Sequence, residues 1–434
     1  MLLRFAKSLL ILLAIVSYST VMAQDIAEKN AGTSEVDGVT ERELLLGTHQ
    51  PLTGPASKFS SVLHGADAWF QYLNDQGGVN GRKVRLLARD DGFQPERSKV
   101  AVKQLVLDDG VFAIFAGLGS KTHGAVGGWL ARMGIPDFMI ASPPLKNTPT
   151  LRTAPNRFGF WPTAELEGEV LAQWIAREHA GEKVAIWHLN QSPYQEAAQA
   201  LSRALQSAGI AGTSIAHPEF GVDFATESQR IAALEPANIV LLTTSYMGSQ
   251  ILRQAKRDGL KARMFLGHDM ADDSLIESAG ADVMKGAWVV ASLPFAAMKD
   301  HPGIRLHRKL MEVYQPDVSV DRWTVYGQAA AEAMTAVLHK AGRGLTRDGA
   351  LTAAESLQGW SGPLTPPVTL SATNHSVLGS LRIARVVGRR FVFVSGHMNG
   401  KNDTDDTQSM NRSTGSDISD SSNEQVGNTE YTEQ

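Results

Sequence analysis

The chain has 434 residues, 43% of them hydrophobic, and a formal net charge of −4. That length is sufficient for two domains of ordinary size, and the small net charge gives no electrostatic footprint for nucleic acid or for an anionic lipid surface. Because the sequence has no cysteine, it excludes disulfides, thiol catalysis and an anchor made from a lipid-modified cysteine.

Residues 1–23 have the pattern of a secretory signal peptide. Arg4 and Lys7 precede an apolar stretch from Leu9 to Val16, and small or apolar residues lead up to Ala23. The alternative, a single transmembrane anchor, requires about 20 predominantly apolar residues, and polar residues interrupt this segment after Val16. We therefore expect cleavage after Ala23 and a soluble periplasmic protein that is not a lipoprotein.

The two ends of the remaining chain are polar. Residues 24–42 and 399–434 contain few apolar side chains, and such segments do not bury enough surface to offset the entropy lost on ordering. We predict a flexible leader over 24–42 and a disordered polar tail over 399–434.

Between these ends, apolar strand-like runs alternate with amphipathic helical patterns, which is typical of parallel sheets covered by helices on both faces. The clearest predicted strands are Leu44–Leu46, Val84–Leu87, Val111–Phe115, Val184–Trp187, Ile239–Leu242 and Met264–Leu266. The predicted helices are Ala66–Leu73, Ser98–Leu107, Leu166–Arg177, Gln195–Ala208 and Gln250–Asp258. The pattern predicts an α/β fold.

This alternation continues over more residues than one hydrophobic core usually spans, so we expect two lobes. Glycine and proline interrupt the pattern at three places, near Phe158–Thr163, Ser292–Pro294 and Gly362–Pro367. Three crossings between the lobes imply a hinge, with a ligand held between them. The predicted lobes are residues 43–161 plus 293–364 and residues 162–292 plus 365–398.

Several short motifs follow one another in order along residues 43–396. They are Leu46–Pro55, Asn74–Arg82, Ala116–Ser120, Gln250–Ala255, Phe265–Asp269 and Trp323–Ala329. Their order and spacing resemble those of the periplasmic solute-binding proteins of branched-chain amino acid (Leu/Ile/Val) ABC transporters, which are type I periplasmic binding proteins. The resemblance implies two doubly wound lobes joined by a three-strand hinge, a small amino acid or related carboxylate or amide as ligand, and an ABC permease in the inner membrane as partner. It implies a monomer with neither cofactor nor metal.

The candidate site on the first lobe is the start of a predicted helix. A strand and a glycine turn lead into Ser120, Lys121 and Thr122, where unpaired backbone N–H groups and the helix dipole favour an anion. In the resembled family the ligand carboxylate binds at this place. The plain alternatives are that Ser120 only caps its helix and that Lys121 is a solvated side chain.

The candidate site on the second lobe is Asp269, which follows a predicted strand. The resemblance assigns this carboxylate to the ammonium group of an amino-acid ligand, although an Asp after a strand is most often a turn former. Tyr194 and Tyr246 follow other predicted strands and are candidates for cleft walls and hydrogen bonds.

Other positions depart from the resembled family. Phe59 stands where many relatives carry a tyrosine, so an aromatic wall remains without its hydroxyl. Ser142 is followed by two prolines, which donate no backbone N–H, and this puts an ordinary branched-chain amino acid pocket in doubt. Trp161 is a candidate cleft residue and equally a candidate for packing at the hinge. These changes favour a larger or flatter carboxylate or amide than leucine.

An enzyme is the less favoured alternative. The sequence has no Gly-x-Ser-x-Gly elbow, the glycines before Ser120 complete neither a dinucleotide fingerprint nor a P-loop, and no His-Glu-x-x-His motif predicts zinc. His268 beside Asp269 is the one suggestive metal pair, and adjacent side chains point in different directions. A ligand-binding sensory protein shares the fold and remains a second alternative.

Overall fold

The computed structural model describes residues 36–143 and 154–400. The predicted signal peptide and nearly all of the predicted polar tail therefore lie outside the described residues. The part of the chain that is described forms two β-sheets, each with helices on both faces. The predicted α/β fold class is confirmed.

The strands lie close to their predicted positions and mostly extend further. In chain order they are β1 (Glu43–Gln50), β2 (Lys83–Asp90), β3 (Ala113–Phe115), β4 (Asp137–Ile140), β5 (Arg157–Gly159), β6 (Val184–Leu189), β7 (Gly212–His217), β8 (Asn238–Leu242), β9 (Arg263–Leu266), β10 (Trp288–Ala291), β11 (Arg382–Val387) and β12 (Arg390–Phe393).

The helices also include those that the amphipathic patterns predict. In chain order they are α1 (Ser61–Asp75), α2 (Pro95–Lys103), α3 (Ser120–Arg132), α4 (Ala164–Glu178), α5 (Ser192–Ser207), α6 (Phe224–Ala232), α7 (Ser245–Arg257), α8 (Asp273–Ala279), α9 (Ala281–Met284), α10 (Pro302–Tyr314), α11 (Arg322–Ala341) and α12 (Arg347–Glu355). A single π-helical turn (Gln104–Asp108) continues α2, and a 3₁₀ turn (His268–Met270) follows β9.

The sheets are doubly wound, and this places a crevice in each. The first sheet has the order β2-β1-β3-β4-β5 with all strands parallel. The second has the order β12-β11-β10-β9-β8-β6-β7, in which only β11 runs antiparallel to the other strands. Strand order reverses beside β1 in the first sheet and beside β6 in the second, and open α/β sheets bind ligands at the carboxyl ends of strands at such switch points.

Each sheet is buried on both faces. The first packs against α1, α11 and α12 on one face and against α2 and α3 on the other. The second packs against α4 and α5 on one face and against α6 to α9 on the other. Every residue of β3, β4, β6 and β8 is buried, as expected for strands that are covered twice.

The chain crosses between the lobes three times. The first two crossings follow β5 and β10, near the predicted breaks. The third lies just before β11 rather than at Gly362–Pro367, because Val368, Leu370, Val377 and Leu378 are buried in the core of the first lobe. The predicted boundary after Leu364 had assigned these residues to the second lobe.

The predicted leader also differs from the structure. Val36 and Val39 pack against the first-lobe core, and Val39 forms an antiparallel bridge with Leu44. The prediction of a flexible leader is therefore wrong for residues 36–42, since their two valines find a hydrophobic surface. Residues 24–35 lie outside the described part of the chain.

Helices α1 and α11 approach each other backbone to backbone. A Cβ built on Gly65 would lie 1.9 Å from the carbonyl oxygen of Thr324, and one built on Gly327 would lie 2.0 Å from the carbonyl oxygen of Val62. At both of these contacts between the helices, only a hydrogen atom fits in place of a side chain. The glycines thereby place the beginning of α11 directly against α1.

Replacing Gly327 by Ala should lower the free energy of unfolding by about 2–3 kcal/mol, because the added methyl group must push the two helices apart. Urea unfolding followed by circular dichroism measures this change. The matched control is Gly128→Ala in α3, where the nearest atom to a new Cβ is the flexible Arg132 guanidinium at 3.6 Å. That substitution should stabilise by about 0.5–1 kcal/mol, and equal effects at the two positions would contradict the close approach.

Candidate functional site

The first lobe presents the start of α3 at the carboxyl end of β3. Gly119 has φ +94°, and a Cβ there would lie 2.3 Å from the Thr122 hydroxyl, so this turn requires glycine. Ser120 is half-buried and donates a hydrogen bond to the Pro143 carbonyl at 3.1 Å. Thr122 is buried and donates its hydroxyl to the Leu118 carbonyl at 2.6 Å. The helix begins where predicted, and both hydroxyls hold the local backbone.

Below this turn lies a chain of buried polar side chains. His49 Nδ1 donates to Asp91 at 2.7 Å, His49 Nε2 and His123 Nδ1 are 2.9 Å apart, and His123 Nε2 donates to Asp137 at 2.9 Å. Arg157 donates its Nε–H to the same Asp137 oxygen at 3.0 Å. Each of these five residues is at most 5% exposed.

The partners of this network depress the pKa of its carboxylates despite burial. Desolvation raises the pKa of Asp91 and Asp137, but hydrogen bonds and the charges of their partners outweigh it, and both pKa values lie below their usual range. A Cβ on Gly117 would lie 2.2 Å from His123 Nδ1. The backbone of the turn before α3 therefore packs directly against the imidazole rings of His123 and His49.

On the second lobe, Asp269 lies in the 3₁₀ turn after β9. Its carboxylate accepts a hydrogen bond from the Tyr194 hydroxyl, and its carbonyl accepts one from the Ser245 hydroxyl at 3.0 Å. Burial raises the pKa of Asp269, and burial together with the Asp269 charge raises the pKa of Tyr194. The structure thus brings two of the predicted site residues into contact.

Glu167 of α4 is a second acid beside Asp269. Its Oε1 accepts the backbone N–H of His268 at 2.7 Å. Burial raises the pKa of Glu167 to about 7, the neighbouring Asp269 charge adds to this rise, and the His268 N–H and the Arg322 guanidinium oppose it. The two carboxyl groups form an acidic corner at the edge of the second lobe.

Arg322 extends from the first lobe to this corner. It is the first residue of α11, and its Nη1 donates to the Asp269 carbonyl at 2.7 Å while its Nη2 lies 3.4 Å from His268 Nδ1. At the rim, Lys121 of the first lobe lies 3.6 Å from the Glu219 carboxylate of the second. Since both side chains are well exposed, this rim ion pair contributes little to stability.

Aromatic rings line the cleft from the first lobe to the crossing segment. Phe59 meets Trp323 edge to face at 5.0 Å between ring centres, and Phe93 lies 6.1 Å from Phe59. Trp161 lies 6.3 Å from Trp323 and meets the His268 ring edge to face at 4.9 Å. Trp161 is only 8% exposed, so it packs between the lobes as well as bordering the cleft.

The predicted residues thus fall into groups. Trp161, Tyr194 and Asp269 lie around one corner, and Phe59 joins them through the aromatic row. Ser142 is buried at the end of β4, and the prolines that follow it are described only as far as Pro143. Tyr246 is 67% exposed at the start of α7.

Sequence reasoning missed four residues of this corner, which are Glu167, His268 as a packing partner, Arg322 and Trp323. One sequence signal pointed to this part of the corner. It is the motif Trp323–Ala329, whose first residue borders the cleft. Arg322 directly precedes that motif and Glu167 lies on a predicted helix, but nothing in their sequence surroundings marks either as facing the other lobe.

Two further observations concern residues 36–143 and 154–400 alone. No group of three or more His, Cys, Asp or Glu side chains is placed there to hold a metal ion. None of the helices in these ranges combines the length and the apolar character that a membrane crossing requires.

Replacing Asp137 by Asn should lower the free energy of unfolding by about 3–5 kcal/mol, because a buried charge on Arg157 would lose its facing carboxylate. Chemical denaturation measures the loss. Asp109→Asn is the matched control, since Asp109 pairs with Arg89 at the partly exposed surface and should cost no more than about 1 kcal/mol. If both variants lose a similar free energy of unfolding, the buried network does not stabilise the fold more than a surface ion pair does.

The pH dependence of stability should reveal Glu167. Its folded-state pKa of about 7 lies above its ordinary value of 4.5, so the stability associated with its protonated form is present below pH 4.5 and is lost as the pH rises through 7. The loss is on the order of 3 kcal/mol. The difference between the unfolding free energies at pH 5 and at pH 8 should therefore be smaller in Glu167→Gln than in the wild type. Glu165→Gln, at an exposed position of the same helix, should show the same pH dependence of stability as the wild type. If Glu167→Gln also shows the wild-type pH dependence, the raised pKa of Glu167 is refuted.

Known proteins share both the sequence pattern and the fold. The sequence profile of the periplasmic binding protein family matches residues 44–390. A Leu/Ile/Val-binding protein homolog 2 from Brucella abortus is 27% identical over 252 residues, which cover 57% of this chain and 66% of the relative. A leucine-, isoleucine-, valine-, threonine- and alanine-binding protein from Pseudomonas aeruginosa is 25% identical over 264 residues, which cover 58% and 66%. The matched segments thus span about two thirds of these relatives.

Solved structures agree in fold at lower sequence identity. A branched-chain amino acid ABC transporter protein from Thermus thermophilus with bound valine has a TM-score of 0.70 at 20% identity, and the match covers 83% of this chain and 97% of the other. A fatty acid ABC transporter substrate-binding protein from Thermomonospora curvata has a TM-score of 0.72 at 19% identity, with 86% and 97% covered. With a profile match across most of its length and these neighbours in fold, the chain belongs to the periplasmic binding protein family and has the type I fold.

Proposed function

We infer that this protein is the substrate-binding component of an ABC importer. It captures a small amino acid or a related carboxylate or amide between its lobes and delivers it to a permease in the inner membrane. The observation that carries this proposal is the meeting of charged and aromatic side chains from both lobes at one place, where Arg322 and Trp323 of the first lobe face Asp269 of the second.

The composition of this corner suits a small polar ligand with an apolar body. Binding sites are mainly apolar and aromatic, with a few polar groups that fix orientation. Here Phe59 and Trp323 supply flat apolar surface, and Arg322, Glu167 and Asp269 supply charge. Closing the lobes over a ligand removes water, which strengthens each charged hydrogen bond in the cleft.

Entry of a ligand requires the lobes to separate. The cavity beside Arg322 and His268, whose lining includes neither Asp269 nor Trp323, measures only about 20 Å³, which is room for roughly one water molecule. An amino acid or a comparable acid does not fit there as the side chains stand. The three crossing segments are the connections about which opening would occur.

The comparison proteins do not fix one ligand class for the fold. One curated relative is a leucine-, isoleucine-, valine-, threonine- and alanine-binding protein, and one neighbour in fold is a fatty acid transporter protein. In this chain, Phe59 lacks a hydroxyl and Pro143 lacks a backbone N–H donor. Both features favour a flatter and less polar ligand than a branched-chain amino acid.

The cellular setting follows from the same proposal. A signal peptide ending at Ala23 would place the chain in the periplasm, where a substrate-binding component meets its permease. We propose that it works there as a soluble monomer and performs no chemistry on its ligand, since the permease complex supplies ATP hydrolysis.

A thermal-shift screen of the ligand-stripped protein against amino acids, aromatic acids, short amides and ureas should find a stabilising compound. A ligand at about 100 times its dissociation constant adds roughly 2.7 kcal/mol of stability. Intrinsic fluorescence then locates it, because Trp161 and Trp323 border the cleft. Trp161→Phe or Trp323→Phe should reduce the fluorescence change on adding that compound, whereas Trp174→Phe, packed against Trp288 inside the second lobe, should leave it intact.

Two results would count against this function. If no compound in the screen stabilises the protein, the proposed range of ligands is wrong. If a compound stabilises it but the fluorescence change persists in both cleft variants and disappears in Trp174→Phe, the ligand binds somewhere other than this corner.

A further inference from the structure

Arg322 occupies the place in the cleft that best suits a cation. Its guanidinium carbon lies 5.7 Å from the centre of the Trp161 ring and 5.3 Å from that of Trp323, within the range at which a cation is attracted to an aromatic face. Its charge also lowers the pKa of Glu167 and Asp269 against the rise caused by burial. Aromatic faces and carboxylates together are the groups with which proteins hold a cation.

The chain thus supplies its own cation to this subsite. An amino-acid ligand would bring an ammonium group to the acidic corner, where it would face the guanidinium of Arg322 as a like charge. Desolvated like charges in one site cost several kcal/mol unless further anions offset them. Of the two acids there, Glu167 has a pKa raised by burial to about 7, so it carries only part of a negative charge at neutral pH. Asp269 already accepts from Tyr194 through its carboxylate and from Arg322 through its carbonyl.

Arg322 also keeps hydrogen-bond donors that a ligand can use. A guanidinium has five N–H donors in a planar fork. Within the described residues, its contacts are one from Nη1 to the Asp269 carbonyl and one from Nη2 toward His268. The Nε–H and one N–H on each terminal nitrogen remain, and adjacent guanidinium donors match the two oxygens of a carboxylate.

Aromatic rings border these donors. Phe59 packs edge to face on Trp323 at 5.0 Å, and Trp161 stacks nearly parallel to Trp323 at an interplanar angle of 22°. Such a row of rings offers contact area to a planar or elongated hydrocarbon body. It offers no hydrogen-bond acceptor for an ammonium group.

We propose that Arg322 takes the position of a ligand ammonium and that the cleft selects a carboxylate which has an apolar or aromatic body and no amino group. This inference rests on the proposed function, because it names the ligand class of the same cleft. Asp269 then orients Tyr194 and faces Arg322 instead of contacting the ligand amine. Arg322 is the residue that determines specificity.

Isothermal titration calorimetry tests the proposal with two pairs of compounds that differ only in the amino group. The pairs are 3-phenylpropanoate with L-phenylalanine and 4-methylpentanoate with L-leucine. For the wild-type protein, at least one of the deaminated acids should bind tenfold or more tightly than its amino-acid counterpart. Arg322→Gln should weaken binding of that acid at least tenfold and reduce the preference to less than threefold. Arg322→Lys, which keeps the charge but loses the planar fork, should fall between these two proteins.

The matched control is Arg305→Gln. Arg305 lies exposed on α10 and donates to the Asp300 carbonyl at 2.6 Å, so its replacement makes the same change of charge outside the cleft. Affinities for all four compounds should stay within twofold of the wild-type values. Urea unfolding of each variant confirms that a loss of affinity does not reflect a loss of folded protein.

The outcomes separate this inference from the function on which it rests. If L-phenylalanine or L-leucine binds the wild type more tightly than its deaminated partner, the inference is overturned and the carrier function is supported. If none of the four binds but another compound from the thermal-shift screen does, the inference is again overturned and the carrier function again stands. If no compound binds in either experiment, both proposals fail.

Discussion

The carboxylate of Asp137 is the group on which the cleft face of the first lobe depends. It accepts hydrogen bonds from His123 on α3 and from Arg157 on β5, and His123 continues the chain through His49 to Asp91. Buried ionic groups of this kind cost several kcal/mol each unless every partner is in place. The network therefore fixes how the ends of four strands and the start of one helix lie relative to one another. The turn before α3 packs directly on this network.

In the second lobe, desolvation outweighs the hydrogen bonds and charges that stabilise the ionised acids. Glu167 and Asp269 are partly buried beside each other and have few hydrogen-bond partners. The desolvation of their side chains therefore raises the pKa of both carboxyl groups, and the opposing interactions do not cancel this rise. The opposing charge comes from Arg322, which belongs to the other lobe. Electrostatics on this face of the cleft thus depend on how closely the lobes approach, whereas the partners in the first-lobe network all belong to the first lobe. A rigid face and a face whose charge balance requires its partner suit a protein that closes over a solute.

The sequence was sufficient for the fold because its signals are local. Apolar runs such as Val184–Trp187 and turn residues such as those before Ser120 specify strands and a helix start without reference to distant parts of the chain. The third crossing was misplaced because prolines near Gly362–Pro367 mark a turn but not the lobe in which the next residues are buried.

The site residues also divide into those that local sequence predicts and those that it does not. Asp269 and Tyr194 follow strands, and switch-point topology brings such positions to a common edge. Arg322 and Glu167 are brought to the cleft by tertiary packing between helices of different lobes, which no spacing along the chain encodes. Thr122 has the residue type that its position suggests, but its hydroxyl bonds to its own backbone, a competition that only the folded geometry decides.

The glycine contact between α1 and α11 has a mechanical consequence. Where two helices touch through side chains, rotamer changes let them slide, but hydrogen against carbonyl at Gly65 and Gly327 leaves nothing to compress. Phe59, just before α1, and Trp323, in the first turn of α11, are thus carried on one stiff frame. The positions of these two rings are therefore fixed within the first lobe, and a ligand bound at the proposed site would meet an aromatic surface that is already formed.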